Sequence, residues 1–289
     1  MRTSLLILTY NWPAALKRVL QSVAWQSRLP DEVIVSDDGS RDETHRLVEQ
    51  QACDFPCRLV YLWQEDLGFR AARARNRGIA AARGDYLIAI DGDMLLHRHF
   101  IADHLDFAQP GCFLIGGRLR ASVRETARLL DGGVPVFRPW MDGEFDVPRE
   151  FHRYHALRWP WLARRKARVG RGAIMSCNMS FWYADLVRSN GFDEAMEGYG
   201  SEDLELGARL ENAGVLRCRL KFAGLAVHLN HASRAPIDPD DLSMPNNRIL
   251  SDTRRSGRMR CERGLDLHVH EFATLPPDMR DAACAERCV

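Results

Sequence analysis

Apolar and polar positions come in alternating blocks over the first hundred residues. Residues 5–8, Leu-Leu-Ile-Leu, form an unbroken apolar run of strand length, as expected of a strand covered on both faces. Pro13 suits the first turn of a helix, and Leu16, Val19, Leu20 and Val23 then follow at i, i+3, i+4 and i+7. A second apolar run at 33–35 ends in Asp37-Asp38-Gly39. Ser40, with Glu43 three residues later, has the pattern of a capping box for the next helix. A third strand is predicted at 59–62 and an Ala/Arg-rich helix at 71–83. Gly84-Asp85 then turn into Tyr86-Leu87-Ile88-Ala89-Ile90, which stops at Asp91. This order predicts βαβ units, and so an α/β, Rossmann-like fold with a mostly parallel sheet and helices on both faces.

Periodicity fades between residues 118 and 170. Pro135, Pro139, Pro148 and Pro160 interrupt it, and aromatic residues accumulate around Trp140, Tyr154, Trp159 and Trp161. Seven Arg or Lys and no acidic residue fall between Phe151 and Arg171. Regular patterning returns at 174–181, followed by a helix near 201–213 and strands near 216–222 and 225–229. Beyond Pro236 the chain is polar and rich in breakers, and reads as a loosely packed tail. Four segments result. Residues 1–117 and 171–235 are two halves of one domain, 118–170 is a variable aromatic and basic insertion, and 236–289 is a C-terminal tail.

Composition narrows the class. The 289 residues are 46% hydrophobic and 27% charged, ordinary for a globular chain with a full core. Forty Lys and Arg nearly cancel 39 Asp and Glu, which argues against a dedicated nucleic-acid binder. No stretch reaches the ~18 apolar residues a membrane-spanning helix needs, and the apolar run after Met1 is too short for a signal peptide. Eight cysteines are too sparse for a disulfide scaffold. Cys53/Cys57 and Cys284/Cys288 lack zinc-ligand spacing, so reduced thiols and a cytoplasmic setting are expected.

The chemistry gathers at predicted strand ends, where open α/β sheets bind ligands. Thr9-Tyr10-Asn11 follow strand one, Asp37-Asp38 strand two, and Asp91-Gly92-Asp93 strand four. Two carboxylates one residue apart can hold one hard cation, with Gly92 admitting close approach; the plainer reading is an Asp-Gly turn. One of Asp37 and Asp38 is placed to accept hydrogen bonds from a base or ribose. Glu202-Asp203 open a helix behind Gly198-Tyr199-Gly200-Ser201. They are either first-turn acids complementing the helix dipole behind an N-cap Ser201 or a general base brought close to a substrate. His228 and His231 follow a late strand, and one imidazole could complete a cation's shell.

In this arrangement the chain resembles the family 2 inverting glycosyltransferases of GT-A fold. Leu-Thr-Tyr-Asn at 8–11, Val-Ser-Asp-Asp-Gly-Ser at 35–40, Ala-Arg-Asn-Arg-Gly-Ile at 74–79 and Gly84-Asp85-Tyr86 leading to Asp91-Gly92-Asp93 carry the nucleotide-binding half. Cys177-Asn178-Met179-Ser180-Phe181, Gly191-Phe192-Asp193-Glu194 and Gly200-Ser201-Glu202-Asp203 resemble the acceptor half of the galactosyltransferase and polysaccharide-polymerase branch. The resemblance implies that Thr9, Tyr10 and Asp38 hold uracil and ribose, joined in nucleotide-sugar binding by Asn11, Arg70, Asn76 and Gly92. Asp91 would touch ribose or donor sugar. Asp93 would be the main ligand of Mn2+ or Mg2+, with His231, or His228 in simpler relatives. Asp203 would be the catalytic base, with Glu202, Asn178 and Tyr199 on the acceptor.

The implied activity is inverting, metal-dependent transfer of a hexose or N-acetylhexosamine from a UDP-sugar to a glycan or lipid-linked acceptor, in bacterial surface polysaccharide or lipopolysaccharide synthesis. A sugar-phosphate nucleotidyltransferase would carry a glycine-rich, lysine-containing loop after strand one, where this chain has Thr-Tyr-Asn-Trp-Pro. A non-catalytic nucleotide-sugar or glycan-binding module would be expected to have lost Asp93 or Asp203. The basic, aromatic stretch 151–171 reads as a solvated loop, as the wall of the acceptor pocket, or as a peripheral contact with an anionic membrane at its inner face.

Overall fold

A computed structural model describes residues 1–137, 157–166, 168–169, 174–231 and 238–273. The first part of the chain forms as the pattern predicts: β1 (Thr3–Thr9), α1 (Pro13–Ala24), β2 (Glu32–Asp37), α2 (Asp42–Ala52), β3 (Arg58–Trp63), α3 (Ala71–Ala81) and β4 (Tyr86–Asp91). Then come β5 (Met94–Leu96), α4 (Phe100–Phe107), β6 (Cys112–Ile115), β7 (Leu119–Arg120), α5 (Val123–Leu130), α6 (Pro160–Lys166) and β8 (Arg168–Val169). The second half adds β9 (Asn178–Trp182), α7 (Tyr183–Ser189), α8 (Glu202–Asn212), β10 (Leu216–Arg219) and β11 (Ala226–His228), followed by α9 (Pro245–Ser256) and α10 (Val269–Ala273).

One sheet runs β3-β2-β1-β4-β9-β6-β10-β8. Its first four strands are parallel, while β9 enters antiparallel between β4 and β6. The mixed α/β, mostly parallel sheet expected from the sequence is therefore present. Alternation along β1 shows why helices cover both faces. Leu5 and Ile7 pack with Leu16, Val19 and Leu20 of α1 on one side, and Leu6 packs with Ala72 and Ile79 of α3 and Leu206 of α8 on the other. Successive strand side chains must point oppositely, so an unbroken apolar run needs two cores.

A second sheet, β5-β11-β7, matters more to function. β11 pairs antiparallel with β5 so that His228 sits opposite Met94, and the Leu229 N–H donates to the Asp93 carbonyl at 3.0 Å. That register carries the residues after β11 back to the end of β4.

Two expectations fail. The Ser40 capping box does not form: α2 starts at Asp42 without a side-chain cap. The Ser40 hydroxyl instead accepts from the Asn11 N–H at 2.7 Å, while Asn11 Oδ1 accepts from the Arg41 N–H, stitching the loop after β1 to the loop after β2. The segment beyond Pro236 is also not loose where it is described. α9 lies against α8, Asn247 takes the Ser201 hydroxyl at 2.6 Å, and Thr253 donates to buried Glu205. Many of its anchors are polar, and the buried apolar residues beside them, Leu250 and Leu265, are too widely spaced to form a period.

Candidate active site

The ends of β1, β2 and β4 and the start of α8 open on one cleft of about 840 Å³. Thr9, Tyr10, Asn11, Asp38, Asp91, Gly92, Asp93, Tyr199, Glu202, Asp203 and His231 all line it. Asn11 adopts a left-handed φ of 46°, which ends β1 and starts the cleft rim. The two aspartates after β2 separate by role. Asp37 builds the turn, accepting from the N–H groups of Gly39 and Ser40 and from the Tyr61 hydroxyl. Asp38 faces the cleft, bonded to Gln64 at 2.6 Å and to the Arg70 N–H at 2.9 Å. Burial pushes its carboxyl above the usual range, against those bonds.

Gly92 is required by the protein itself. A Cβ there would stand 2.9 Å from Thr9 Oγ1 and 3.0 Å from the Leu8 carbonyl oxygen, which the Gly92 N–H contacts at 2.7 Å. The turn between β4 and β5 thus holds Asp91 and Asp93 tightly against the end of β1.

Asp93, His228 and His231 converge, with one ligand atom from each lying within 4.8 Å of the others. Asp93 Oδ2 is 3.5 Å from His228 Nε2 and 3.3 Å from His231 Nε2. Asp93 Oδ1 is buried without a hydrogen-bond partner. Burial pushes His228 down to about 4, against the pull of Asp93, so its ring is neutral at physiological pH. A carboxylate with a free buried oxygen beside two imidazoles is a donor set that fits a divalent cation such as Mn2+. Both rings reach Asp93 Oδ2, so the choice between them that the sequence left open is not forced.

Asp203 lies in the first turn of α8. Its Oδ2 accepts from the Ser176 N–H at 2.9 Å and its Oδ1 from the Leu204 N–H at 2.8 Å. Burial, reinforced by the adjacent Glu202 carboxylate, still pushes its carboxyl up to about 7, against the pull of those N–H groups and of Arg75. A carboxylate titrating near neutrality suits general-base work. Ser201 precedes the helix in a left-handed conformation without capping it through its side chain. That sharp entry turns the helix's first residues into the cleft.

Three expected contacts are redirected. The Asn76 side chain is fully buried, donating to the Phe192 carbonyl and Glu194 and accepting from the Phe192 N–H, all at 2.8 Å. It joins α3 to the second half rather than to a nucleotide. Asn178 is likewise buried, donating to the carbonyls of Gly117 and Gly224 and bonding His104, so it does not face an acceptor. Arg70 supports Asp38 through its backbone, while its guanidinium donates to the Glu65 carbonyl. Asn178→Ala should therefore lower stability by about 2–3 kcal/mol, the cost of buried polar groups left unpaired. A urea melt reads this directly, and a melt like that of the wild type would contradict the structural role.

The sequence reading missed Arg75, Arg118, Trp12, Phe69 and Ser176, which also line the cleft. Arg75 had a visible signal. It lies on the same α3 stripe as Ala71 and Ile79, at i, i+4 and i+8, where a lone charge among small apolar residues calls for a buried partner. Arg118 sits in a stretch without periodicity and had none.

Comparison with solved structures places the fold among GT-A glycosyltransferases. Staphylococcus aureus TarS (residues 1–349, in complex with UDP-GlcNAc) aligns with a TM-score of 0.58 at 16% identity, over 94% of this chain and 71% of that one. The mannosyltransferase PcManGT from Pyrobaculum calidifontis, in complex with GDP-Man and Mn2+, aligns at 0.55 and 19% identity, over 78% of this chain and 56% of that one. The chain belongs to glycosyl transferase family 2, whose model matches residues 4–164. A second model, the N-terminal domain of galactosyltransferase, matches residues 164–232. Among curated relatives, a validoxylamine A glucosyltransferase of Streptomyces hygroscopicus subsp. limoneus is 33% identical over 234 residues, 73% of this chain. The match spans 48% of that protein, so this chain corresponds to about half its length.

Proposed function

We propose that the protein is an inverting, metal-dependent glycosyltransferase. It moves a hexose or N-acetylhexosamine from a UDP-sugar to a hydroxyl of a glycan or lipid-linked acceptor, in the assembly of a bacterial surface polysaccharide or lipopolysaccharide. The observation that carries this reading is that Asp93 and His231, which converge with His228, line the same cleft as Asp203. Thr9, Tyr10 and Asp38, on the β1 and β2 ends, hold uracil and ribose; Asp91 touches the ribose or donor sugar. Asp93, His228 and His231 would hold Mn2+ or Mg2+, which when bound supplies positive charge against the departing diphosphate. Asp203 accepts the proton of the acceptor hydroxyl as its oxygen bonds to the anomeric carbon. The bond from that carbon to the phosphate oxygen breaks, and the nucleoside diphosphate leaves with the electron pair. One displacement inverts the anomeric centre, through the oxocarbenium-like charge distribution of glycosyl transfer. Glu202 and Tyr199 position the acceptor. Screening nucleoside diphosphate release across a panel of UDP- and GDP-sugars tests the donor; turnover of none of them would defeat the assignment.

A lipid-linked acceptor would bring the protein to a membrane surface. Among the described residues no helix is long and apolar enough to cross a membrane. At the start of α6, however, Trp159 and Trp161 are 48% and 58% exposed, with Arg165 stacked 4.9 Å over the Trp161 ring. Arg164 and Lys221 adjoin them, stacked on Phe107 and Phe222. Exposed tryptophan beside arginine suits an anionic headgroup layer. The protein should float with liposomes containing anionic lipid and not with neutral ones, and Trp159→Ala/Trp161→Ala should weaken flotation. Recovery of all protein in the unbound fraction with both lipids would remove the membrane contact.

A further inference from the structure

Arg75 is a buried charge in the wall of the cleft. Its side chain is only 4% exposed, yet it reaches three partners on three separate parts of the chain. One terminal nitrogen donates to Asp91 Oδ1 at 3.1 Å and to the Ser176 hydroxyl at 2.9 Å. The other donates to Glu202 Oε1 at 3.1 Å, and the Phe192 ring covers the guanidinium at 5.3 Å. Asp91 closes β4 in the nucleotide-binding half, while Glu202 opens α8 in the second half.

We propose that Arg75 is a positioning residue: a single guanidinium that ties Asp91 on the donor side to Glu202 on the acceptor side, and so fixes both the spacing of the two substrates and the charge around Asp203. The proposal rests on the reading of Asp203 as the base and of Asp91 and Glu202 as substrate contacts.

Three features of the site support this role. Burying a guanidinium is costly unless its donors are satisfied by opposite charge. Here two carboxylates and a hydroxyl satisfy it, and α3, anchored by Asn76, delivers it rigidly. Second, a guanidinium holds its donors in a rigid planar fork that spans two separated carboxylates; a lysine ammonium on a flexible stem offers charge without that fixed geometry. Third, the groups facing this point are Asp91 from β4, Glu202 and Asp203 from α8, the Ser176 hydroxyl and N–H from the loop before β9, and the Phe192 ring. Without Arg75 three carboxylates would share the site with no opposing charge bonded to them. Glu202 and Asp203 are neighbours in sequence, so their repulsion would fall directly on the base. Arg75 is the cation that holds Asp203 down, against the burial and the Glu202 charge that push it up.

The test is the titration of Asp203, followed by NMR on protein labelled with carboxyl-13C aspartate and assigned by loss of its signal in Asp203→Asn. Arg75→Gln and Arg75→Met should each raise the midpoint by about one pH unit or more, as expected when a nearby opposite charge is removed. Arg75→Lys keeps the charge and should leave the midpoint close to that of the wild type. It should nevertheless lower kcat about ten- to a hundredfold, because the donor-to-acceptor spacing is no longer fixed. A merely structural arginine would give destabilised variants with an unmoved Asp203 midpoint. Arg75→Gln retains hydrogen-bonding capacity, so it serves if Arg75→Met does not fold. An Asp203 midpoint unchanged in Arg75→Gln overturns the proposal. Midpoints that move as expected, in a wild-type protein that transfers no sugar, support the coupling and remove the glycosyltransferase reading instead.

Discussion

Asp203→Asn is expected to lower kcat by about a thousandfold, the middle of the range for loss of a positioned general base, with donor affinity nearly unchanged. The asparagine fills the same space, but its single side-chain oxygen cannot satisfy both the Ser176 and Leu204 N–H groups that the carboxylate serves. Some loss of stability should therefore accompany the loss of rate. The pH dependence separates the two effects. The base must be ionised to accept a proton, and its carboxyl is pushed up to about 7, first by burial and then by Glu202. In the wild type kcat/KM should thus fall as pH drops below about 7, one limb of an acid–base profile. In Asp203→Asn the residual activity should lack that limb. Initial rates between pH 5 and 9 decide the matter: a variant that keeps both the wild-type rate and the acidic limb places the base elsewhere.

The second large effect is expected at the cation site. Asp93→Ala should abolish metal-dependent turnover, a loss of about a hundredfold or more when Lewis-acid stabilisation worth several kcal/mol disappears. Asp91→Asn should cost less. Asp93 is the carboxylate with an unpartnered buried oxygen and two imidazoles within 3.5 Å, whereas Asp91 is already bonded to Arg75. His231→Ala should raise the Mn2+ concentration needed for half-maximal rate, since a ligand is lost while the carboxylate remains. Rates measured over a Mn2+ titration for the three variants give the order. A larger loss in Asp91→Asn than in Asp93→Ala would reverse the division of labour between the two aspartates.

Much of this was legible in the sequence because it depends on local chemistry. Apolar runs such as 5–8 and 86–90 have to become strands buried on both faces, and polar residues at their ends have to surround the ligand edge of the sheet. Thr9, Asp91, Asp93 and the Asp37–Asp38 pair follow from that alone, while the choice of Asp38 within the pair came from the family resemblance. His228 and His231 needed a non-local fact, the β11–β5 register that returns the chain to Asp93. Spacing hinted at it but could not say that both rings arrive. Asn76 and Asn178 show the opposite limit. Each stands in a motif, yet the partners that absorb them, Phe192 and Glu194 for one and Gly117, Gly224 and His104 for the other, are distant in sequence. The Ser40 cap failed for the same reason, since Asn11 from another loop claims its hydroxyl. The segment after Pro236 is held by buried polar bonds such as Ser201–Asn247 and Thr253–Glu205, which leave no hydrophobic period to read.

The central claim is that one cleft combines a cation held by Asp93, His228 and His231 with the base Asp203 to transfer a sugar. Release of nucleoside diphosphate from a UDP-sugar, measured with Mn2+ and again after chelation, tests it most directly. The account predicts steady release with the metal, at least a hundredfold less without it, and a further rise when a suitable acceptor glycan is added. Tight, saturable binding of the nucleotide sugar with no release in either condition would contradict it, and would make the protein a binding module built on a glycosyltransferase fold.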